Sequence, residues 1–484
     1  MISGNALKAR SWSEGRLLGL AKKAGAALLR GDGAADDADK ERALDTLDAV
    51  RAAPRAYQDH PTLGALAAAL VAAEEAARQP VTLPLRPAPL PYETWGAEGI
   101  DAGARAQMDL ALRLPVSVAG ALMPDAHSGY GLPIGGVLAT VGCVIPYAVG
   151  SDIACRMRLS VYPVGPEALD DGAKGDALAR AIEENTAFGA GAEWQGRRRA
   201  EHAVLDEPAW RETRLLASLR ERAARQLATS GSGNHFVEWG ALTLMDEDAV
   251  VGLPPGRYLA LLSHSGSRGV GYKIADTYSR LAEATHPTLD EARKLAWLDL
   301  DAQAGQEYWL SMELAGRFAA ANHELIHRRV AAAAGLREIA AVENHHNFAW
   351  RETVTLPDGS TEEVIVHRKG ATPAGPGVLG IIPGSMADPG YLVRGRGNTA
   401  ALASASHGAG RAMGRRVATE SIPRAERDRY LRERGVTLLG GGMDEAPQAY
   451  KRIEQVMAAQ RDLVDVLGTF QPRVVRMADE PGDI

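Results

Sequence analysis

A proline-rich run divides this 484-residue chain into two parts of different character. Residues 79–91 read QPVTLPLRPAPLP, and their five prolines favour an extended backbone over a helix or a sheet interior. The sequence before this run has helical spacing of its apolar residues in three stretches, 14–30, 38–52 and 62–78. We therefore predict a helical N-terminal extension over residues 1–78, for packing or partner contact, and a connector over 79–92.

The sequence after the connector mixes short apolar segments with glycine-rich turns and helices. Because helices and strands do not alternate regularly, an α+β fold is favoured over a doubly wound sheet. We expect one large α+β domain over residues 93–484. The strand-like segments are 134–145, 258–263, 363–367 and 378–382, and the expected helices are 170–184, 208–228, 289–335 (with a break) and 444–467.

Composition limits the classes of function. A formal net charge of −7 argues against a protein that coats nucleic acid non-specifically, although it is compatible with a local basic cleft. Two cysteines, Cys143 and Cys155, do not make a disulfide framework. The chain has no secretory signal and no apolar window of about 18 residues, so we expect a cytoplasmic protein without a membrane span.

Six of the twelve histidines lie in short runs rich in glycine, serine and asparagine. A histidine on such a tight turn sits where the backbone can approach a ligand. Each one alone is compatible with an ordinary loop residue, but six in one chain indicate a site. The runs are PDAHSGYG (His127), GSGNHFVEW (His235), LLSHSGSRG (His264), ENHHNFAW (His346), VHRKGAT (His367) and SASHGAGR (His407).

The segment GSDIAC places a carboxylate, Asp152, three residues before a thiol, Cys155. Both groups can face one ion from a single turn, and a thiolate can bridge two ions. Carboxylate, imidazole and one sulfur suit manganese, iron or zinc better than magnesium or calcium. The alternative is a buried cysteine next to a helix-capping aspartate.

Residues 323–327 read HELIH, which matches the H-E-x-x-H pattern of zinc proteases. The flanking sequence is helical, so His323 and His327 would share one face. No third-ligand extension follows, which favours solvated or capping histidines on a surface helix.

Two common nucleotide motifs are absent from the sequence. It contains neither the phosphate-binding run G-x-x-x-x-G-K-S/T nor the K-x-D-G of lysine-based nucleotidyl transferases. The glycine-rich runs 231–234 and 408–410 can cradle phosphate through backbone N–H groups.

Nine motifs, taken in order, resemble those of the RtcB RNA ligase family over residues 93–476. The resemblance implies an α+β catalytic domain that joins RNA 2′,3′-cyclic phosphate or 3′-phosphate ends to 5′-hydroxyl ends, in RNA repair or tRNA splicing. It also implies GTP and two manganese ions, or another divalent metal, as cofactors. Some family members use an activating partner such as archease, so archease or another RNA-repair protein is a candidate partner. The motifs are MPDAHSGYGLPIGG, GSDIAC, GSGNHFVEW, HSGSRGVG, HHNF, VHRKGAT, IPGSM, SHGAGR and APQAYK.

The resemblance also assigns roles to residues. It implies that His407 is the nucleophile that becomes guanylylated and that Glu238 reads the guanine edge. His345 is a less suitable ligand than its neighbour His346. The implied metal ligands are Asp152, Cys155, His235, His264 and His346; the implied nucleotide contacts are Asn234, Glu238, Ser385, Gly408, Ala409, Gly410 and Tyr450; the candidate RNA phosphate contacts are Arg268, Arg368, Lys369, Arg411, Arg415 and Arg416.

Three positions depart from the family pattern: Arg156 replaces a usual glycine, Gly390 replaces a usual serine, and no lysine follows Lys451. Two alternatives stay open at this point. One is a different metal-dependent hydrolase, either a phosphoesterase or a HELIH-type peptidase. The other is a non-catalytic relative that binds RNA ends.

Overall fold

The computed structural model of the protein describes residues 2–12, 15–29, 36–76, 84–245, 251–286, 290–356 and 359–479. Its α-helices are α1 (Gly4–Ala9), α2 (Arg16–Leu28), α3 (Asp37–Ala52), α4 (Gly64–Ala76), α5 (Ala102–Leu112), α6 (Pro146–Val149), α7 (Gly172–Asn185), α8 (Arg214–Gln226), α9 (Arg268–Thr285), α10 (Gln303–Ala333), α11 (Arg415–Ser421), α12 (Arg424–Glu433) and α13 (Ile453–Ala459).

The β-strands are β1 (Glu93–Thr94), β2 (Ser117–His127), β3 (Ile134–Thr140), β4 (Cys143–Val144), β5 (Arg156–Tyr162), β6 (Ala187–Phe188), β7 (Thr229–Gly231), β8 (Phe236–Leu244), β9 (Gly256–Ser265), β10 (Leu298–Asp299), β11 (Ala340–His345), β12 (Asn347–Thr355), β13 (Thr361–Lys369), β14 (Ala371–Pro373), β15 (Leu379–Ile382), β16 (Gly390–Gly395), β17 (Ser404–Ser406), β18 (Thr437–Gly440) and β19 (Val464–Met477). This mixture of helices and sheets confirms the predicted α+β class.

Two larger sheets form the frame of the fold. One has the strand order β11-β5-β9-β8-β19-β16-β15, with β18 paired to β19, and the other has the order β1-β2-β3-β13-β12. The long helix α10 packs against α9, β9 and β5. Its inward face is apolar where it meets the core, with Tyr308, Met312 and Phe318 fully buried.

The N-terminal helices have an apolar core of their own, which includes Leu18, Leu47 and Leu63. Helix α2 lies against the start of α10, where the Gln306 side chain donates to the carbonyl of Gly19 (2.9 Å). The helices α2, α3 and α4 fall on the three predicted stretches, of which residues 14, 30 and 77–78 lie outside the described residues. The prediction of a connector falls partly on residues 77–83, which lie outside the described residues, and the domain division stays a prediction.

One of the predicted helices is wrong in part. The stretch 444–467 contains two short 3-10 turns and the short helix α13, and from Val464 the chain is the strand β19. Pairing of β19 with β8 and β16 overrides the local helical preference of this stretch. The break expected in the helix 289–335 is present and contains the short strand β10. Residue 289, the first of this predicted helix, lies outside the described residues. In the described part of the chain, no helix is long and apolar enough to span a bilayer.

Candidate functional site

The site lies at one edge of the larger sheet, where four neighbouring strands begin or end. Strands β5 and β8 begin at this edge and the antiparallel β9 and β11 end there, as the pairs Arg156↔Ser265 and Phe236↔His264 show. Antiparallel order therefore brings residues that are distant in sequence to one place.

The structure brings all five predicted metal ligands together at this edge. The Cys155 Sγ atom lies 3.0 Å from Nε2 of His264 and 3.4 Å from Nε2 of His235. The Nε2 atom of His235 is 2.8 Å from a carboxylate oxygen of Asp152. The Nε2 atoms of His264 and His346 are 3.2 Å apart. Each residue thus directs one ligand atom into a common centre.

Two of the rings are oriented by backbone carbonyls. His235 donates from Nδ1 to the carbonyl of Ser230 (3.0 Å), and His264 donates from Nδ1 to the carbonyl of Asn234 (3.0 Å). These bonds turn the Nε2 atoms toward the centre, the orientation that metal-binding histidines require.

Burial sets the protonation of the cluster. It lowers the pKa of His264 to about 3 and that of His346 well below its ordinary value, so both rings are neutral. Burial also opposes ionisation of Asp152, but the charge and hydrogen bond of His235 outweigh it and lower the pKa of Asp152 to about 2. Burial and the Asp152 charge raise the pKa of the Cys155 thiol well above its usual range. A thiolate here needs a cation for compensation, so this donor set fits a divalent metal.

The predicted nucleophile, His407, faces the ligand cluster. Its ring centroid lies 4.8 Å from that of His346. Its Nδ1 donates to Asp125 (2.6 Å), and its backbone N–H donates to the same oxygen (3.2 Å). Because Nδ1 is occupied, Nε2 is the atom left free for chemistry.

Asp125 is the functional residue that the sequence analysis missed. Its carboxylate is fully buried, and its other oxygen, Oδ1, has no hydrogen-bond partner among the described residues. The signal in the sequence is the run MPDAHSGYG, in which Asp125 stands two residues before His127. That histidine, His127, donates from Nδ1 to the Asp125 carbonyl (3.0 Å).

The HELIH histidines are buried, contrary to the expectation of a solvated or capping pair. The Ser263 hydroxyl lies 2.6 Å from Nδ1 of His323 and 2.7 Å from Nε2 of His327. The Nδ1 atom of His327 is 2.6 Å from the hydroxyl of Ser160, which in turn bonds Glu338. The Ser263 hydroxyl therefore lies between the two rings, so they do not jointly face a position open to a peptidase zinc, and Glu324 points instead toward His202 (3.3 Å).

Two further histidines have structural roles. His367 accepts from the backbone N–H of Ile145 (2.9 Å) through Nε2 and donates from Nδ1 to the carbonyl of Leu138 (3.1 Å). Both of its nitrogens are used, so it is not a ligand. His345 packs against the ring of Phe348, with centroids 5.1 Å apart, away from the ligand atoms.

Glu238 has an unusual environment for a carboxylate. It is 2% exposed on β8, and no donor in the described part of the chain pairs with it. Burial raises its pKa well above the ordinary value. Such a group is costly to bury unless a ligand supplies its partners.

The other predicted nucleotide contacts surround the His407 run. Residue 408 lies against Pro383, two residues before Ser385. Gly410 has a left-handed φ of +72°, and a Cβ there would lie 2.9 Å from the Cβ of Asp125. Only glycine allows this close approach. The Ala409 side chain is buried. Tyr450 forms an isolated β-bridge with Arg411 through the backbone, and its hydroxyl donates a hydrogen bond to Glu445. Asn234 supplies the carbonyl that orients His264.

A family profile described as tRNA-splicing ligase RtcB matches residues 107–478. The chain belongs to the RtcB family. It is 32% identical over 404 residues to the RNA-splicing ligase RtcB of Escherichia coli K12, covering 77% of this chain and 93% of that protein. It is 33% identical over 401 residues to the RNA-splicing ligase RtcB of Mycobacterium bovis (70% and 91%) and 31% identical over 423 residues to the tRNA-splicing ligase RtcB of Nanoarchaeum equitans (73% and 87%).

The arginines and the lysine near this RtcB-type site differ in whether protein carboxylates already pair with them. Arg368 is 1% exposed and forms a two-bond pair with Glu352 (2.6 and 3.0 Å), so its predicted contact with RNA is wrong. Arg268 is half-buried near Asp152. Arg411 and Arg415, which follow the His407 run, both pair with Glu445. Lys369 has no acidic partner among the described residues.

The departures from the RtcB pattern are accommodated locally. Arg156 is buried and pairs with Glu343 (2.9 Å), so its charge is compensated beside the ligand turn. Gly390 starts β16 and pairs with Phe470. The position after β19 where the family has lysine is occupied by Ala478 and Asp479.

Proposed function

We propose that this chain is a GTP- and manganese-dependent RNA ligase that joins RNA 3′-phosphate or 2′,3′-cyclic phosphate ends to 5′-hydroxyl ends. The observation that carries the proposal is the placement of His407. Its ring, held by a buried carboxylate, lies beside a cluster of three imidazoles, one thiol and one carboxylate. RtcB membership supports the same activity.

The ions would be held by Asp152, Cys155, His235, His264 and His346. When bound, they would neutralise the charge of the phosphates and of the transferring phosphoryl group. The chemistry of the donors supports manganese or a similar metal, because imidazole, carboxylate and thiolate together form a set of intermediate softness. Cys155 would hold an ion together with His235 and His264, whose Nε2 atoms lie 3.4 and 3.0 Å from its sulfur.

The first step is transfer of GMP to His407. The free Nε2 attacks the α-phosphorus of GTP, so an N–P bond forms, the bond between the α-phosphorus and the bridging oxygen breaks, and pyrophosphate leaves. Asp125 is a positioning residue: it fixes the tautomer and stabilises the positive charge that develops on the ring.

The second and third steps pass the activation to RNA. An oxygen of the RNA 3′-phosphate attacks the phosphorus of the histidine adduct, the N–P bond breaks, and the RNA end carries GMP. The 5′-hydroxyl of the other strand then attacks the 3′-phosphorus, its proton is lost, and GMP leaves. A 2′,3′-cyclic phosphate is first opened by water to the 3′-phosphate.

Glu238 supports the choice of guanine. Its buried and unpaired carboxylate can accept from both the ring N–H and the exocyclic amine of guanine, a pair of donors that adenine does not present together. Asn234, Ser385, Tyr450 and the backbone at 408–410 line the adjoining loops and would contact the rest of the nucleotide.

The test is a ligation assay on the full-length protein with a 3′-phosphate RNA and a 5′-hydroxyl RNA. We expect joined product only when manganese and GTP are both present, and none with ATP or with a 3′-hydroxyl RNA. Joining without GTP would contradict the proposal. Archease is the expected partner, so the assay is repeated with archease added. If the protein binds metal and RNA ends but gives no joined product, with or without archease, the non-catalytic alternative is favoured.

A further inference from the structure

Tyr130 is an exposed aromatic residue that follows the MPDAH run at the end of β2. It lies in the turn between β2 and β3 and is 55% exposed. The Nζ atom of Lys294 lies 4.1 Å from the centroid of its ring and 5.9 Å from the ring centroid of the half-buried Tyr147. Two aromatic rings that share one ammonium group form a surface with both a stacking face and a positive charge.

This surface connects to the predicted nucleophile through Lys369. The Lys369 ammonium donates to the carbonyl of Tyr130. The next residue, Gly370, has a φ of +62°, and a Cβ there would lie 3.3 Å from Cε1 of His407. The buried Lys369 side chain therefore contacts the backbone of Tyr130, and the next residue, Gly370, lies against His407.

The two lysines form a positive site that lacks its own counter-charge. Lys369 is 8% exposed, and neither Lys369 nor Lys294 has a carboxylate partner within the described ranges. Burial, and secondarily the charge of Lys294, lowers the pKa of Lys369 to about 7. A buried ammonium without an acid is costly, so an anionic ligand is the natural complement.

The acidic groups near Tyr147 do not supply that counter-charge. Asp276 pairs with Lys273 (2.9 Å) and Arg280 (2.6 Å) on its own helix. Glu283 pairs with Arg293 (2.8 Å). Because these carboxylates are already paired with cations, the positive field of the two lysines is left for a ligand.

We propose that Tyr130, Tyr147 and Lys294, here called the tyrosine platform, bind the terminal nucleotides of a single-stranded RNA end. A base stacks on the Tyr130 ring, and Lys294 contacts the backbone phosphate next to it. Aromatic stacking accepts any base, which suits an enzyme that recognises an end rather than a sequence. The inference rests on the proposed function, because it assumes that the strand leads to His407.

The test measures binding of two short RNAs, one with a 3′-phosphate and one with a 5′-hydroxyl end, by fluorescence anisotropy. Full-length protein is used with manganese and without GTP, so no reaction occurs. For at least one RNA we expect Tyr130→Ala to weaken binding by about fivefold or more, the size of one stacked base. Lys294→Gln should reduce the slope of log affinity against log salt by about 0.7, the value for one phosphate contact. The RNA that is affected identifies which end the platform binds.

Conservative variants separate stacking from general damage. Tyr130→Phe and Lys294→Arg should bind within about twofold of wild type, because ring and charge are kept. Met245→Ala is the matched surface control, since Met245 is 50% exposed at the opposite end of β8. Unchanged binding of both RNAs by Tyr130→Ala, or an equal loss in Tyr130→Phe, overturns the platform. The tyrosine platform and the ligase proposal are tested separately. If the protein binds RNA through Tyr130 but fails the ligation assay, only the ligase proposal is refuted.

Discussion

Two buried histidine clusters lie in this molecule, and they differ in what faces their ring nitrogens. In the cluster of His235, His264 and His346, Nε2 atoms face the thiol of Cys155 and one another: those of His235 and His264 lie near the sulfur, and that of His346 lies near that of His264. In the HELIH cluster, the hydroxyl of Ser263 lies between the two rings. The first arrangement directs its Nε2 atoms to positions where a metal can bind, whereas the second engages three of its four ring nitrogens in hydrogen bonds with serine.

The comparison shows why a histidine pattern alone is a weak guide to a metal site. One set of neutral tautomers accounts for the serine contacts of the HELIH cluster: His323 donates to Ser263, Ser263 donates to His327, His327 donates to Ser160, and Ser160 donates to Glu338, while Nε2 of His323 has no hydrogen-bond partner among the described residues. In the other cluster, backbone carbonyls take the Nδ1 protons of His235 and His264, and no hydroxyl of the described residues contacts the Nε2 atoms. What faces the second ring nitrogen of a histidine therefore decides whether that histidine can bind a metal or serves in a hydrogen-bond network.

The largest expected effect is on the converging cluster. His264→Ala removes the ring that contacts both Cys155 and His346. We expect manganese affinity to fall by at least about a hundredfold, more than the loss of an outer-shell partner usually causes, and transfer of GMP to His407 to disappear with it. Equilibrium dialysis followed by elemental analysis measures the metal. Wild-type metal content in this variant would contradict the ligand assignment.

The next effect concerns the nucleophile. Asp125→Asn keeps the shape of the side chain but removes the charge that holds the His407 tautomer. We expect the rate of guanylylation to fall by about two to four orders of magnitude, by analogy with other carboxylate–histidine pairs, while metal content stays at the wild-type level. Single-turnover kinetics with labelled GTP check the rate. A rate close to that of wild type would show that Asp125 does not position His407.

A smaller effect is expected in the hydrogen-bonded cluster. His323→Ala opens a cavity and leaves the Ser263 hydroxyl with one partner fewer, so the free energy of unfolding should fall by about 2–4 kcal/mol. Metal content and guanylylation should be retained at temperatures where the protein stays folded. His323→Asn keeps a donor near the Nδ1 position and should recover part of the stability. Loss of metal in His323→Ala would erase the contrast between the two clusters.

The smallest effect is a pH dependence of stability that His367 contributes. Burial lowers its pKa to about 4 in the folded protein, whereas the unfolded chain takes up the proton near 6.5. The stability from neutral His367 is therefore present above about pH 6.5 and is lost as the pH falls toward 4, by about 1.4 kcal/mol per pH unit. Urea unfolding of metal-free protein at pH 7.5 and 5.5 should show a smaller difference for His367→Gln. An equal difference in both proteins would contradict this assignment.

Local patterns allowed the sequence to predict much of the fold. The N-terminal helices were located because helical spacing is a property of short segments. The gathering of Asp152, Cys155, His235, His264 and His346 was predicted from a resemblance, since no local pattern reports that β5, β8, β9 and β11 share an edge.

The remaining features depend on contacts between distant segments. The helix expected over 444–467 gave way to β19 because the pairing partners of its last residues lie much earlier in the chain, in β16, where Gly395 pairs with Val464. The burial of His323 and the ion pair of Arg368 with Glu352 follow from packing. Asp125 was missed because its role exists only in the contact with His407, 282 residues later in the chain.

The central claim is that the Nε2 atom of His407 carries GMP within a metal cluster that the HELIH histidines do not share. Mass spectrometry of the intact protein after incubation with manganese and GTP tests it most directly. We predict a mass increase of one GMP on wild type and on His323→Ala, stable to alkali and lost in acid, and none on His407→Ala. An adduct that persists in His407→Ala, or that maps to another residue, would contradict the account.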